Sequence, residues 1–163
     1  MSVKVEQGAM DAVTAELAKG MQNVHARIIR DLTIAGEKAV EKARLIVTAN
    51  GGGSVLPPYT VQTGNLVSST GYAIVHDGQI VTMSSFQAVP GPKGDGQEGS
   101  ATGKAYVKEL AMRYTKGYAL ILVAGMEYAS YVQELYHRDV LVSGSLVAEQ
   151  LVSEIQDKFN SEK

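Results

Sequence analysis

The densest apolar stretch of the chain, residues 117–141 (GYALILVAGMEYASYVQELYHRDVL), constrains the fold most, because the rest of the chain has to cover it. In its first half Tyr118, Leu120 and Leu122 alternate with Ala119, Ile121 and Val123. Both pleat faces are apolar, the pattern of a strand buried on two sides. Gly125 then interrupts the run and the period changes. Tyr128, Tyr131, Val132 and Leu135 fall at i, i+3, i+4 and i+7, which aligns them on one side of a short helix. The G-x-S-x-G pattern that would make this junction a nucleophile elbow is absent, so the stretch reads as a packing centre.

Ahead of it, across residues 10–47, Met10, Val13, Leu17, Met21, Val24, Ile28, Leu32, Ala35, Ala39, Ala43 and Ile46 recur three or four apart. This spacing predicts one long amphipathic helix, or two joined near Gly36, serving as a core helix and compatible with a role in an oligomer. Its large aliphatics give way to alanines towards the C-terminal end, which suits close approach of another element better than a leucine zipper. Glycines 51–53 and the Leu56-Pro57-Pro58 sequence end it, and residues 49–62 read as a linker. Within 63–69 (TGNLVSS) Leu66 and Val67 are the only apolar anchors, and Thr63 is placed to cap one helical turn.

Asp77-Gly78 between alternating runs is the signal of a type I′ hairpin. A two-residue loop pairs His76 with Gln79, Ile74 with Val81 and Tyr72 with Met83, leaving Ala73, Val75, Ile80, Thr82 and Ser84 on a lighter face. Residues 87–103 (QAVPGPKGDGQEGSATG) are largely Pro, Gly and small polar residues, which predicts a long loop that is mobile when the protein is alone. Val107, Leu110, Ala111 and Tyr114 then give a helix over 104–115, ended by Lys116-Gly117. After the central stretch, Ser145 caps a last helix with Leu146, Val147, Leu151, Val152, Ile155 and Phe159 facing inward. The expectation is a single α+β domain: a long N-terminal helix and a C-terminal helix packed on a small, mostly antiparallel sheet.

Composition narrows the chemistry. With 15 Lys plus Arg against 17 Asp plus Glu, the formal charge of −2 leaves no footprint for nucleic acid or an anionic membrane. There are no cysteines, which removes disulfides, thiol catalysis and cysteine-based metal sites. The run 118–124 is far shorter than the ~20 residues that span a bilayer. No signal-peptide h-region opens the chain, so an intracellular protein is expected. His25, His76 and His137 have no second ligand at metal spacing, and no cofactor or metal is expected.

Gly103-Lys104 resembles a phosphate-loop ending, but Glu98 stands where its first glycine would be and Ala105 where Ser or Thr would hold magnesium. Serines 68, 69, 84, 85, 143 and 145 have no base beside them, although a triad assembled by the fold stays open. The eight tyrosines, against two phenylalanines and no tryptophan, suit either an interface or a half-buried core.

Two phrases, TGNLVSS at 63–69 and AGMEYASYVQ at 124–133, together with the order of elements, resemble the small tail-component proteins of tailed bacteriophages that join head to tail, called neck, head-tail connector or tail-completion proteins. Thr63, Gly64, Leu66 and Ser69 fit the first family phrase, and Tyr128, Ala129, Tyr131 and Val132 the second. Gln133 stands where glutamate is usual, and the turn that follows is altered to Leu135-Tyr136-His137-Arg138. The resemblance implies a non-enzymatic virion protein, assembled in the host cytoplasm as a homo-oligomeric ring of sixfold or twelvefold symmetry. Its partners would be portal or head-closure proteins on one side and tail-tube or tail-terminator proteins on the other, with DNA as passing cargo. Glu127, Ser130, Gln133 and Glu134, with the loop charges Lys93 and Asp95, are the candidate interface residues. The alternative is a small-molecule-binding or enzymatic domain whose site is assembled by the fold near Ser68, His76 or His137.

Overall fold

The computed structural model describes residues 7–48, 62–127, 129 and 141–161. In chain order they form α1 (Gln7–Thr48), α2 (Asn65–Ser69), β1 (Thr70–His76), β2 (Gln79–Met83), α3 (Gln97–Ala111), β3 (Tyr118–Ala124) and α4 (Val142–Ser161). The architecture is α+β, with the long N-terminal helix, the C-terminal helix and a three-stranded antiparallel sheet of order β2-β1-β3. Most of the expected linker, and the short helix expected from Tyr128 to Leu135, lie outside the described residues.

The central strand is β1, not the apolar β3. On one face of the sheet Tyr72 and Ile74 pack with Leu32 and Val40 of α1. On the other, Ala73 and Val75 join Phe86, Val107, Ala111, Ile121 and Val123 beneath α3. β3 pairs in full register with β1 but is an edge strand, and only Ile121 and Val123 are buried in it. The face carrying Leu120 and Leu122, expected to be covered, is half-buried.

The hairpin turn forms as expected, with Asp77 and Gly78 both at positive φ (49° and 80°). His76 pairs with Gln79 and Val75 with Ile80, but the expected register fails beyond them. Ile74 faces Thr82 and Ala73 faces Met83, with the irregularity between Ile74 and Val75. Val81 is the extra residue of a β-bulge, and it is exposed on the outer strand. Alternation alone gives no sign of such an insertion, because the bulge falls between two residues that are both apolar. Asp77 also ties the hairpin to the start of β3: its carboxylate accepts from the Gly117 N–H at 2.7 Å, and its own N–H donates to the Gly117 carbonyl at 3.0 Å.

The stretch expected to be a flexible loop is folded onto the domain. Gly91 and Gly94 form an isolated bridge, Lys93 N–H donates to the Gln62 carbonyl at 2.8 Å, and α3 begins at Gln97, seven residues before the expected start at 104. The small residues that suggested disorder are contact residues. Gly99 lies so close to α2 that a Cβ there would stand 2.0 Å from the Asn65 carbonyl oxygen. Phe86, fully buried at positive φ (48°), is a core residue that its polar surroundings conceal in the sequence.

α1 runs unbroken through Gly36. The ring of Tyr72 occupies the space a side chain would take there, since an added Cβ would lie 2.6 Å from Tyr72 Cδ2. Further along, Ala39 and Ala43 meet Gly144 of α4, so the alanine-rich end of α1 does admit a close neighbour. α4 starts at Val142, three residues before the expected cap. Ser145 is inside the helix, its hydroxyl donating to the Val142 carbonyl at 2.8 Å, and Leu146 is exposed rather than inward.

Gly20 and Gly36 share this helix in opposite surroundings. Alanine at Gly20 meets nothing within 4 Å and gains helix propensity, so Gly20→Ala should stabilise by about 0.5–1 kcal/mol. At Gly36 the same gain is outweighed by overpacking against Tyr72, typically about 1–3 kcal/mol. Urea unfolding should move the midpoint up for Gly20→Ala and down for Gly36→Ala.

Candidate functional site

The first family-like phrase builds a buried polar joint. Asn65, Leu66, Val67, Ser68 and Ser69 are all buried, and each polar side chain among them has a backbone partner. Ser68 Oγ donates to the Gly64 carbonyl and accepts from Val89 N–H, both at 2.8 Å. Ser69 Oγ and Thr70 Oγ1 both donate to the Leu66 carbonyl, at 2.9 and 3.0 Å. Asn65 spans two helices: its Nδ2 donates to Glu98 at 2.6 Å and its Oδ1 accepts from Gly99 N–H at 3.3 Å. Thr63 Oγ1 accepts from Asn65 N–H at 3.3 Å, but the expected cap position is held by Gly64 in left-handed geometry (φ 75°), with no side-chain cap of its own. Buried hydroxyls committed to the backbone stabilise the joint and are poor nucleophiles.

The two family-like phrases meet in space. Leu66 and Val67 form a cluster with Val89, Ala124, Met126, Ala129 and Leu141, and Gly125 N–H donates to the Ser69 carbonyl at 3.2 Å. Among the candidate interface residues, Glu127, Lys93 and Asp95 are exposed. Asp95 Oδ1 accepts from Gln97 N–H at 3.0 Å at the start of α3, which gives it a structural role in addition. Tyr128, Ser130, Tyr131, Val132, Gln133, Glu134 and His137 lie outside the described residues.

A shallow notch of about 390 Å³ lies between α1 and the hairpin, lined by Glu37, Glu41, Arg44, Tyr72, Ser84 and Ser85 among others. Burial lowers the Arg44 pKa from its ordinary value, and one of its guanidinium nitrogens donates to the Thr70 carbonyl at 2.9 Å. Tyr72 is pushed the other way. Burial first, then the Glu37 carboxylate that its hydroxyl contacts at 3.5 Å, raises its pKa above 10.0. A phenol held neutral in this way is the opposite of an activated nucleophile. Ser84 Oγ accepts from Tyr72 N–H at 3.1 Å and is also committed to the backbone.

At the far end of the sheet a cluster appears that the sequence does not reveal. His25 Nδ1 contacts the Tyr118 hydroxyl, the His76 and Tyr118 rings stack at 4.2 Å, and His25 meets His76 edge-on at 4.9 Å. The β1–β3 register places His76 opposite Tyr118, and the packing of α1 on the sheet brings His25 to them. Among the described residues no group of three His, Cys, Asp or Glu side chains is placed to hold a metal ion.

Two open features among the described residues are largely apolar. A groove of about 920 Å³ is walled by α1, α4 and β3, with Leu32, Leu120, Leu122, Val152, Ile155 and Phe159 among its lining. It adjoins a second of about 670 Å³ along the N-terminal half of α1, where Val13, Leu17, Met21 and Val24 stand over His25 and Tyr118. No family model, curated protein or solved structure matches the chain. Among the described residues no helix is long and apolar enough to cross a membrane.

The Tyr72 environment sets a pH dependence. Its folded pKa lies above the unfolded value, so its contribution is fully present below about pH 10 and is lost as pH rises through the folded pKa. Between pH 9 and 11 the wild-type unfolding midpoint should fall more steeply than that of Tyr72→Phe, which has no phenol to ionise. Parallel limbs in the two proteins would remove Tyr72 as the cause.

Proposed function

We propose that this protein is a non-enzymatic structural component of a tailed-phage virion, a subunit of a ring in the neck that joins the DNA-filled head to the tail. The observation that carries the reading is the order of its parts. A long helix leads to the Thr63-Gly64-x-Leu66-x-x-Ser69 phrase, a hairpin, a β-strand, the phrase that includes Ala129, and a C-terminal helix. The contact between the two phrases through Leu66 and Ala129 supports it, because it gives both a common reason to exist. The broad apolar surface along α1 and the adjoining groove support it from another side, since contiguous apolar area of this kind fits protein contact.

The chemistry is consistent with a conduit. A weakly acidic chain with no basic cluster does not grip the phosphate backbone, so DNA passes as cargo. Ser68, the best-placed serine for the enzymatic alternative, is fully buried and its hydroxyl is engaged at both its donor and acceptor sides. Portal or head-closure proteins on one side and tail-tube or tail-terminator proteins on the other are the proposed partners.

Electron microscopy of the purified full-length chain should show closed rings, with sixfold or twelvefold symmetry, and mass spectrometry of virions should find the protein. A chain that stays monomeric at high concentration and is missing from virions would sink the reading.

A further inference from the structure

The structure leaves one helix half covered and one strand face half covered, and the two fit each other. The N-terminal half of α1 extends beyond the body of the domain, for roughly 25 Å at 1.5 Å per residue. Along it Met10, Val13, Leu17, Met21 and Val24 form a single stripe, and each is about half exposed or more, up to 65% for Leu17 and 73% for Met21. Beside the stripe, Asp11, Glu16, Lys19 and Gln22 are exposed too. Elsewhere on the chain, Leu120 and Leu122 of β3 line an open groove floored by apolar side chains of α1 and α4. No described residue fills it, although the sequence of β3 is that of a strand covered on both sides.

We infer that the N-terminal half of α1 seats in the groove between α1, α4 and β3 of a second copy of this chain, so that each subunit gives an arm to one neighbour and receives an arm from another. The inference rests on the ring reading and names its subunit contact. The occupant is argued from three properties. First, the groove and the stripe are continuous, because Ile28 and Tyr118 line both. An arm laid in the groove therefore extends an apolar seam already present along α1. Second, five large apolar side chains about half exposed or more on one helical face make a contiguous patch of the kind that marks protein contact. Every subunit makes that contact twice, once as donor and once as acceptor. Third, a helix half with so little tertiary cover is marginal alone, so a packed partner would stabilise it.

The geometry of exchange follows. Arm and groove are different surfaces, so the contact is heterologous and propagates from copy to copy, closing into a ring where the rotation allows. Met10 and Met21, unbranched and adaptable, suit an arm that must fit a groove shaped by other side chains. The His25 and Tyr118 cluster stands where groove and arm meet, and supplies the polar groups at that junction.

The test uses the full chain carrying the photocrosslinker p-benzoylphenylalanine at position 17, mixed with isotope-labelled wild type and irradiated. Adducts should fall on the labelled copy, within residues 118–124 and 145–160. Adducts confined to the same chain, to the arm of the neighbour, or to any other surface overturn the arrangement. In parallel, Leu17→Asp should reduce the native mass to that of the monomer while the near-ultraviolet circular dichroism of the fold, to which the buried Tyr72 contributes, is kept, and Leu17→Met should retain the oligomer. An oligomer whose mass ignores Leu17→Asp overturns this surface and leaves the ring reading standing. Wild type that is monomeric at every concentration overturns both.

Discussion

The burial of β1 on both faces is the constraint around which the other elements are placed. A central strand covered on two sides needs a helix layer above and below, and every residue from Thr70 to Val75 is removed from water. α1 covers it through Leu32, Val40 and the Gly36 gap that admits Tyr72. α3 covers the other face through Val107 and Ala111, with Phe86 inserted between. A strand in that position cannot be reached by an irregular chain with unpaired polar groups. The preceding segment therefore has to satisfy its own backbone while buried, and the hydroxyls of Ser68, Ser69 and Thr70 do this within a single turn. Ser and Thr there are structural in the strict sense: each replaces a hydrogen bond that water would otherwise provide.

Legibility from sequence followed the range of the interactions. The helical period of α1, the Asp77-Gly78 turn and the strand at 118–124 are set by neighbours in the chain, and all three stand in the structure. The features that were not legible depend on partners distant in sequence. The bulge at Val81 is fixed by how β2 meets β1, and both registers place apolar residues on the same outer strand. The early start of α3 depends on Asn65 and Phe86, because Gly99 and Ser100 become helix formers only where their small size permits contact; the Ser100 hydroxyl donates to the Phe86 carbonyl. Gly-rich composition signals a lack of apolar anchors, and here it marks backbone held against backbone.

The same reasoning separates what is legible of the candidate site. The family-like phrases could be read as motifs, and their meeting at Leu66 and Ala129 gives that motif reading a spatial content the sequence did not contain. The histidine and tyrosine cluster had no such signal, since His25, His76 and Tyr118 come from three elements and meet only through strand pairing and the packing of α1 on the sheet. Lys93 and Asp95 are candidate interface residues on a stretch whose composition predicts a flexible loop. They are instead exposed on a turn anchored to Gln62 and to the start of α3.

A ring subunit, on the reading proposed above, has to keep its assembly surface apolar without collapsing onto its neighbours before a ring can close. Spreading the apolar residues along one helical stripe achieves this better than gathering them in one patch. Each side chain of the stripe is flanked by exposed polar or charged residues such as Asp11, Glu16 and Lys19, so any accidental contact that is not aligned along the helix desolvates charge. Aligned contact buries the whole stripe at once, and an apolar groove between two helices and a strand offers that alignment. The half-covered face of β3 supplies such a groove, and its two-sided apolar sequence is then the mark of a strand whose second cover is donated from outside the chain. The same physics that makes β1 the buried centre of the subunit would make β3 the centre of the joint between subunits.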